Sequence, residues 1–83
     1  MNIIIVEDNQ ELANEIRDFL SKNRYRCTIA NNGAAALEEV AAMDYDVMLL
    51  DLGLPDGDGF EILKTIRKSK SRMAVIVIIA RGE

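Results

Sequence analysis

The sequence contains no histidine and a single cysteine, and both shortages exclude classes of function. Without an imidazole, the chain cannot form a Ser-His or Cys-His nucleophile or a His-ligated zinc site. Cys27 has no second cysteine with which to form an internal disulfide, which fits a reducing compartment and excludes sites made of several thiolates. The only proline, Pro55, falls within a short glycine-rich segment that we predict to be a loop.

Positive charge and long apolar runs are also in short supply. Ten Lys and Arg against 14 Asp and Glu give a formal net charge of −4, which argues against a nucleic-acid-binding surface. No window reaches the roughly 18 uncharged apolar residues that a membrane span needs. Glu7 and Asp8 also interrupt the region in which a secretory signal would keep its apolar stretch. We therefore expect a cytoplasmic domain that does not contact a membrane.

The hydrophobic residues that are present alternate between strand-like and helix-like spacing. Four short apolar runs rich in β-branched residues predict strands, and helical spacing follows each of the first three. The predicted strands are residues 2–6, 25–30, 47–50 and 74–79; the predicted helices cover residues 12–20, with Asn9 as N-cap, residues 34–43, and a segment from residue 60 onward. Continuous rather than alternating strand hydrophobicity predicts one small α/β domain with a doubly wound parallel sheet and helices on both faces. The second strand, which carries Arg26 and Thr28, should lie nearer an edge.

Acidic residues follow two of the predicted strands. Glu7 and Asp8 come directly after the first strand, and Asp51 comes at the end of the third. Because the carboxyl ends of parallel strands meet at one edge of a sheet, we expect the three carboxylates to lie close together. Two unit charges 4 Å apart repel by about 4 kcal/mol at an effective dielectric constant of 20, so a bound cation or a raised pKa is required. Oxygen ligands favour Mg²⁺ or Mn²⁺; the alternative is three unconnected acids at a solvated rim.

Asp51 is also a candidate nucleophile. A carboxylate attacks phosphorus to give an aspartyl phosphate when a metal ion neutralises the oxygens of the donor. The glycine-rich segment at residues 53–59 would let main-chain groups approach such a phosphoryl group, although a plain strand-to-helix turn would have the same composition.

Residues 3–9 and 45–59 together resemble the receiver domain of two-component response regulators. The acidic pair after the first strand and the Asp-Leu-x-Leu-Pro-x-x-x-Gly motif carry the resemblance, and residues 80–83 are similar to the subfamily with winged-helix DNA-binding output domains. The resemblance covers the whole chain and implies a flavodoxin-like receiver fold over residues 1–83.

The resemblance also implies a role for individual residues. Asp51 resembles the phosphorylated aspartate, and Glu7 and Asp8 match the acidic pair that binds Mg²⁺ or Mn²⁺. Gly53 matches the residue whose carbonyl completes the metal shell, and Pro55 and Gly59 match the loop that shapes the site. In this family a histidine kinase or a small phosphodonor supplies the phosphoryl group, and DNA is contacted only through an output domain, which is absent here.

Two departures from the family pattern stand out. Ile79 occupies the position at the end of the fourth strand where the family has Ser or Thr. A lysine expected after a fifth strand has no counterpart, so we expect a truncated receiver, (βα)₃β, that lacks the last strand and two helices. The last predicted strand is apolar at every position and would have no strand beside it on one side. We therefore also predict a homodimer or swapped oligomer through residues 74–79.

These departures keep a second functional class open. The first hypothesis is a phosphoacceptor signalling domain of a transcriptional regulator, which is not an enzyme beyond self-phosphorylation and self-dephosphorylation. The alternative is a degenerate receiver fragment that does not switch and acts as an interaction or dimerisation module. A phosphohydrolase with an aspartate nucleophile is excluded, because such an enzyme needs a second acid two residues after the nucleophile, and the residue two after Asp51 is Gly53.

Overall fold

The structure is a computed structural model that describes residues 1–54, 59–69 and 72–78. Seven elements alternate along the chain. They are β1 (Asn2–Val6), α1 (Gln10–Lys22), β2 (Arg26–Ala30), α2 (Gly33–Ala42), β3 (Val47–Asp51), α3 (Gly59–Ser69) and β4 (Ala74–Ile78). The predictions made for Pro55, for Ile79 and for residues 80–83 lie outside the described residues.

The four strands form one parallel sheet in the order β2-β1-β3-β4. β2 lies on one side of β1, and β3 and β4 follow on the other side, so β1 and β3 are the two central strands. The predicted parallel sheet is therefore confirmed, and β2 lies at an edge as its polar residues indicated. Within the described residues, β4 forms the other edge, and its Ile76 and Val77 side chains are 54% and 43% exposed.

Alternate residues of the central strands pack on opposite faces of the sheet. On one face Ile4, Met48 and Leu50 pack with buried residues of α2 and α3. On the other face Ile3 and Ile5 pack with Ala13 of α1. Helices therefore cover both faces, which explains why the central strands are apolar over residues 3–6 and 47–50. None of the described helices is long and apolar enough to cross a membrane.

The start of α1 is capped as its sequence predicts. The Asn9 side chain accepts a 3.0 Å hydrogen bond from the main-chain N–H of Leu12, which satisfies one of the free donors of the first turn. Because Asn9 follows the acidic pair directly, this cap also fixes how the chain turns from β1 into the helix.

The end of α1 corrects one predicted boundary. Tyr25 was predicted to begin the second strand, but its N–H bonds to the Leu20 carbonyl, and the strand begins one residue later. The N–H of Arg24 bonds to the Ser21 carbonyl, and Arg24 itself has φ 71°, in the left-handed region. This pair of bonds is a Schellman motif, in which the left-handed position is usually glycine.

Candidate functional site

The three predicted acids meet at the carboxyl-terminal edge of the two central strands. Glu7 directly follows β1, Asp51 is the last residue of β3, and each of Glu7, Asp8 and Asp51 offers a carboxylate oxygen within 4.8 Å of the others. The sheet order produces this arrangement, because β1 and β3 are hydrogen-bonded neighbours with Val6 opposite Leu50. Convergence of the acids, which the strand ends predicted, is present in the structure.

Glu7 is a buried carboxyl group in an acidic environment. Glu7 is only 3% exposed, and this burial raises its pKa to about 7. The main-chain N–H of Asn9, 3.1 Å from Glu7 Oε2, opposes the rise in pKa, while the charge of Asp51 and side-chain hydrogen bonds to Asp51 and Asp8 add to it. The raised pKa favours the protonated form of Glu7, and protonation is one of the two ways in which crowded carboxylates reduce their repulsion.

Asp51 is held by the turn that follows it. The residue is 5% exposed, and its Oδ1 accepts a 2.9 Å hydrogen bond from the main-chain N–H of Gly53. This bond orients the carboxylate from within its own loop. A Cβ added at Gly53 would lie 3.5 Å from Asp51 Oδ1, which is an ordinary contact, so the described part of the site does not require glycine there for space.

Gly59 is required for space. As the first residue of α3, it approaches the segment after β3 so closely that a Cβ would lie 2.7 Å from both Cα and Cδ2 of Leu52. This close approach brings the start of α3 against the residue that follows Asp51. The loop-shaping role expected of position 59 therefore has a steric counterpart in the structure.

Asn31, which the sequence analysis did not single out, also contributes to the acidic edge. Its side-chain Nδ2 donates a 3.0 Å hydrogen bond to the main-chain carbonyl of Glu7. The Glu7 N–H in turn donates to the Ala30 carbonyl at 3.0 Å. The only signal in the sequence was a polar residue directly after β2, which many turns share.

The donor set suits a hard divalent cation. The three side chains supply carboxylate oxygens alone, and among the described residues this is the group of acids close enough together to hold a metal ion. Sites made of such oxygen ligands suit Mg²⁺ and Mn²⁺ better than they suit softer transition metals. Among the described residues, the groups that shift the pKa of Glu7 include no cationic side chain, so a metal ion would neutralise charge that these residues leave uncompensated.

Fold and site together define an α/β protein with an acidic cluster at the switch point of a parallel sheet, which is where ligands bind in open α/β folds. The response regulator receiver domain family matches residues 3–83, so the chain belongs to the family of response regulator receiver domains. The flavodoxin-like receiver fold expected from the sequence is thereby confirmed.

Two curated relatives are transcriptional or response regulators. The chain is 42% identical to response regulator ArlR of Staphylococcus epidermidis over 99% of its own length and 37% of that protein. It is 38% identical to the transcriptional regulatory protein YkoG of Bacillus subtilis over 96% of its length and 35% of that protein. The chain thus spans little more than a third of the curated relatives it matches.

Solved structures show the same fold. The crystal structure of response regulator TrrA from Thermotoga maritima, in complex with Mg²⁺-BeF, has a TM-score of 0.83 and 28% identity, covering 94% of this chain and 66% of that one. A chain in the crystal structure of histidine kinase ThkA in complex with TrrA has a TM-score of 0.90 and 28% identity, covering 99% of this chain and 71% of that one. The Mg²⁺-BeF complex and the complex with a histidine kinase were observed for TrrA itself.

Proposed function

We propose that residues 1–83 are the phosphoacceptor domain of a two-component response regulator, and that Asp51 is the residue phosphorylated. The observation that supports this most strongly is the meeting of Asp51 with Glu7 and Asp8 at one strand edge. Membership of the receiver family and the Mg²⁺-BeF complex of TrrA support the same assignment.

Glu7, Asp8, Asp51 and the carbonyl of Gly53 would hold Mg²⁺, or Mn²⁺ in its place. The bound ion supplies positive charge that neutralises the oxygens of the incoming phosphoryl group. The protein's own part is to hold the three carboxylates together and to fix the Asp51 carboxylate through the N–H of Gly53.

The phosphodonor in this proposal is the phosphohistidine of a histidine kinase, as the ThkA–TrrA complex suggests. A carboxylate oxygen of Asp51 forms the new O–P bond while the P–N bond of the donor breaks. The electron pair of that bond passes to the imidazole nitrogen, which takes up a proton. Phosphorylation would then control a transcriptional output domain outside this chain, through which alone DNA would be contacted.

Phosphorylation by a small acyl phosphate tests the assignment of Asp51 directly. With Mg²⁺ present, the intact mass of the chain should increase by one phosphoryl group, and Asp51→Asn should abolish the increase. Asp18→Asn, on the exposed surface of α1, removes one acid elsewhere and should leave the increase unchanged. Labelling that persists in Asp51→Asn would contradict the proposal.

Ile79 favours a second candidate function, a degenerate receiver that does not switch and serves as an interaction module. An isoleucine cannot donate the hydrogen bond that a Ser or Thr would offer to a phosphoryl group. Ile79→Thr distinguishes the two functions. An increased phosphorylation yield supports a working acceptor weakened by Ile79, whereas an absence of phosphate in both proteins supports the degenerate module.

We also propose self-association of the 83-residue chain through the strand at residues 74–79, as a homodimer or swapped oligomer. The exposed Ile76 and Val77 side chains and the edge position of β4 within the described residues support it, because unpaired strand edges template association. Sedimentation at tens of micromolar should show a dimer or larger species, and Val77→Lys should shift it towards monomer. A monomeric, folded wild-type chain would disprove the association.

A further inference from the structure

The Glu7–Asp8 peptide is fixed from the end of β2. Glu7 donates its N–H to the Ala30 carbonyl and accepts the Asn31 side-chain N–H at its own carbonyl, both at 3.0 Å. Ala30, the last residue of β2, and Asn31, which directly follows it, therefore hold both main-chain polar groups of Glu7. We propose that Asn31 is a positioning residue that fixes the acidic pair in its metal-binding orientation; this inference rests on the proposed function.

The side chain of Asn31 substitutes for a ladder hydrogen bond at the point where the sheet ends. In a parallel ladder the carbonyl of Glu7 would accept the main-chain N–H of residue 32, given that Val6 is paired with Ala30. Asn32 instead begins α2 as its N-cap, with an extended backbone and its side chain accepting from the Ala35 N–H at 2.8 Å. The chain leaves the sheet at this position, and the amide of Asn31 supplies the donor.

The identity of the donor atom follows from chemistry. The Glu7 carbonyl can only accept, so the Asn31 atom beside it must be the NH₂ group rather than the amide oxygen. The carbonyl that receives this bond belongs to the peptide linking Glu7 to Asp8. Fixing that peptide plane restricts the rotation that would carry the Asp8 carboxylate away from Glu7 and Asp51.

Groups that orient metal ligands influence affinity strongly, because a ligand that is free to rotate must be ordered when the ion binds. Loss of such a partner typically weakens metal binding by about 10- to 100-fold. Asp8 is exposed, whereas Glu7 and Asp51 are buried among core residues. Asp8 is therefore the ligand whose position depends most on how its peptide is held.

Asn31→Ala tests the inference, and the chain offers a closely matched control. Asn23 also donates from its side-chain Nδ2 to a main-chain carbonyl, that of Phe19, at the same 3.0 Å distance but at the end of α1. Titration of Mg²⁺ followed by amide resonances should give a dissociation constant about tenfold higher for Asn31→Ala than for wild type. Asn23→Ala should retain the wild-type constant.

Each outcome of this titration separates the inference from the proposed function. Equal Mg²⁺ affinity in wild type and Asn31→Ala, or an equal loss in both asparagine variants, would overturn the positioning role while leaving the metal site intact. A wild-type chain that does not bind Mg²⁺ would instead contradict the proposed function. In that case the Asp8 amide resonance without metal still tests Asn31: it should shift in Asn31→Ala and stay unchanged in Asn23→Ala.

Discussion

Gly59 and Leu52 approach each other so closely that a Cβ on Gly59 would lie 2.7 Å from the Cα of Leu52. The start of α3 is packed against the main chain that follows Asp51, and main chain cannot rotate away as a flexible side chain can. We expect Gly59→Ala to lower the free energy of unfolding by about 1–3 kcal/mol, the usual cost of overpacking. Urea unfolding followed by circular dichroism measures this change.

Gly53→Ala provides the comparison for Gly59→Ala. Among the described residues its added Cβ would meet the Asp51 carboxylate alone, at 3.5 Å, so the free energy of unfolding of Gly53→Ala should stay close to the wild-type value. The substitution also keeps the carbonyl that we assign to the metal. A Gly59→Ala variant as stable as Gly53→Ala and the wild type would show that the close approach at Gly59 is relieved by movement of the backbone.

Asp8→Asn should weaken Mg²⁺ binding by at least about tenfold, because it removes a charged oxygen ligand while preserving the size of the side chain. The measurement is a Mg²⁺ titration monitored by amide resonances near residues 7, 8 and 51. Asp18→Asn makes the same chemical change on the exposed surface of α1 and serves as the control. Identical titrations for wild type and Asp8→Asn would exclude a metal site at this edge.

Arg24→Gly should stabilise the protein. Arg24 has φ 71° at the position of the Schellman motif where glycine carries no steric penalty. A gain of about 0.5–1 kcal/mol is expected once the greater entropy of glycine in the unfolded chain is subtracted. Thermal unfolding tests this, with Arg26→Gly in β2 as the opposite case, where glycine should destabilise a strand. A fall in stability for Arg24→Gly would contradict the interpretation.

Cys27 should be a slowly reacting thiol at neutral pH. Burial raises its pKa above the ordinary cysteine range, and the positive charge of Arg17 opposes this only in part. Since the thiolate is the reactive form, a higher pKa leaves less of it at a given pH. The rate of alkylation by iodoacetamide should therefore rise with pH to a midpoint above that of the urea-unfolded chain, and Arg17→Gln should move the midpoint higher still. Equal midpoints in folded and unfolded protein would refute this.

The sequence predicted the sheet well because the strands are short, apolar and separated by helices of clear periodicity. The ends of Val47–Asp51 and of Asn2–Val6 were enough to predict that acids would meet at one edge. Tyr25 was assigned wrongly to a strand, since a hydrogen bond to the preceding helix, invisible in the sequence, decides its conformation. Asn31 was missed for a similar reason, because its partner lies on another strand and local composition shows only a turn.

The position of β3 beside β1 has a consequence for how the acidic cluster forms during folding. Glu7 and Asp8 precede Asp51 in the chain, and two helices and another strand lie between them and the strand that Asp51 ends. No local segment contains the acidic cluster, and closing the intervening loop costs entropy that only native pairing of the two strands repays. We therefore expect the ion to bind at this edge only in chains that have reached the native tertiary structure, and nascent or partly folded chains should not bind it.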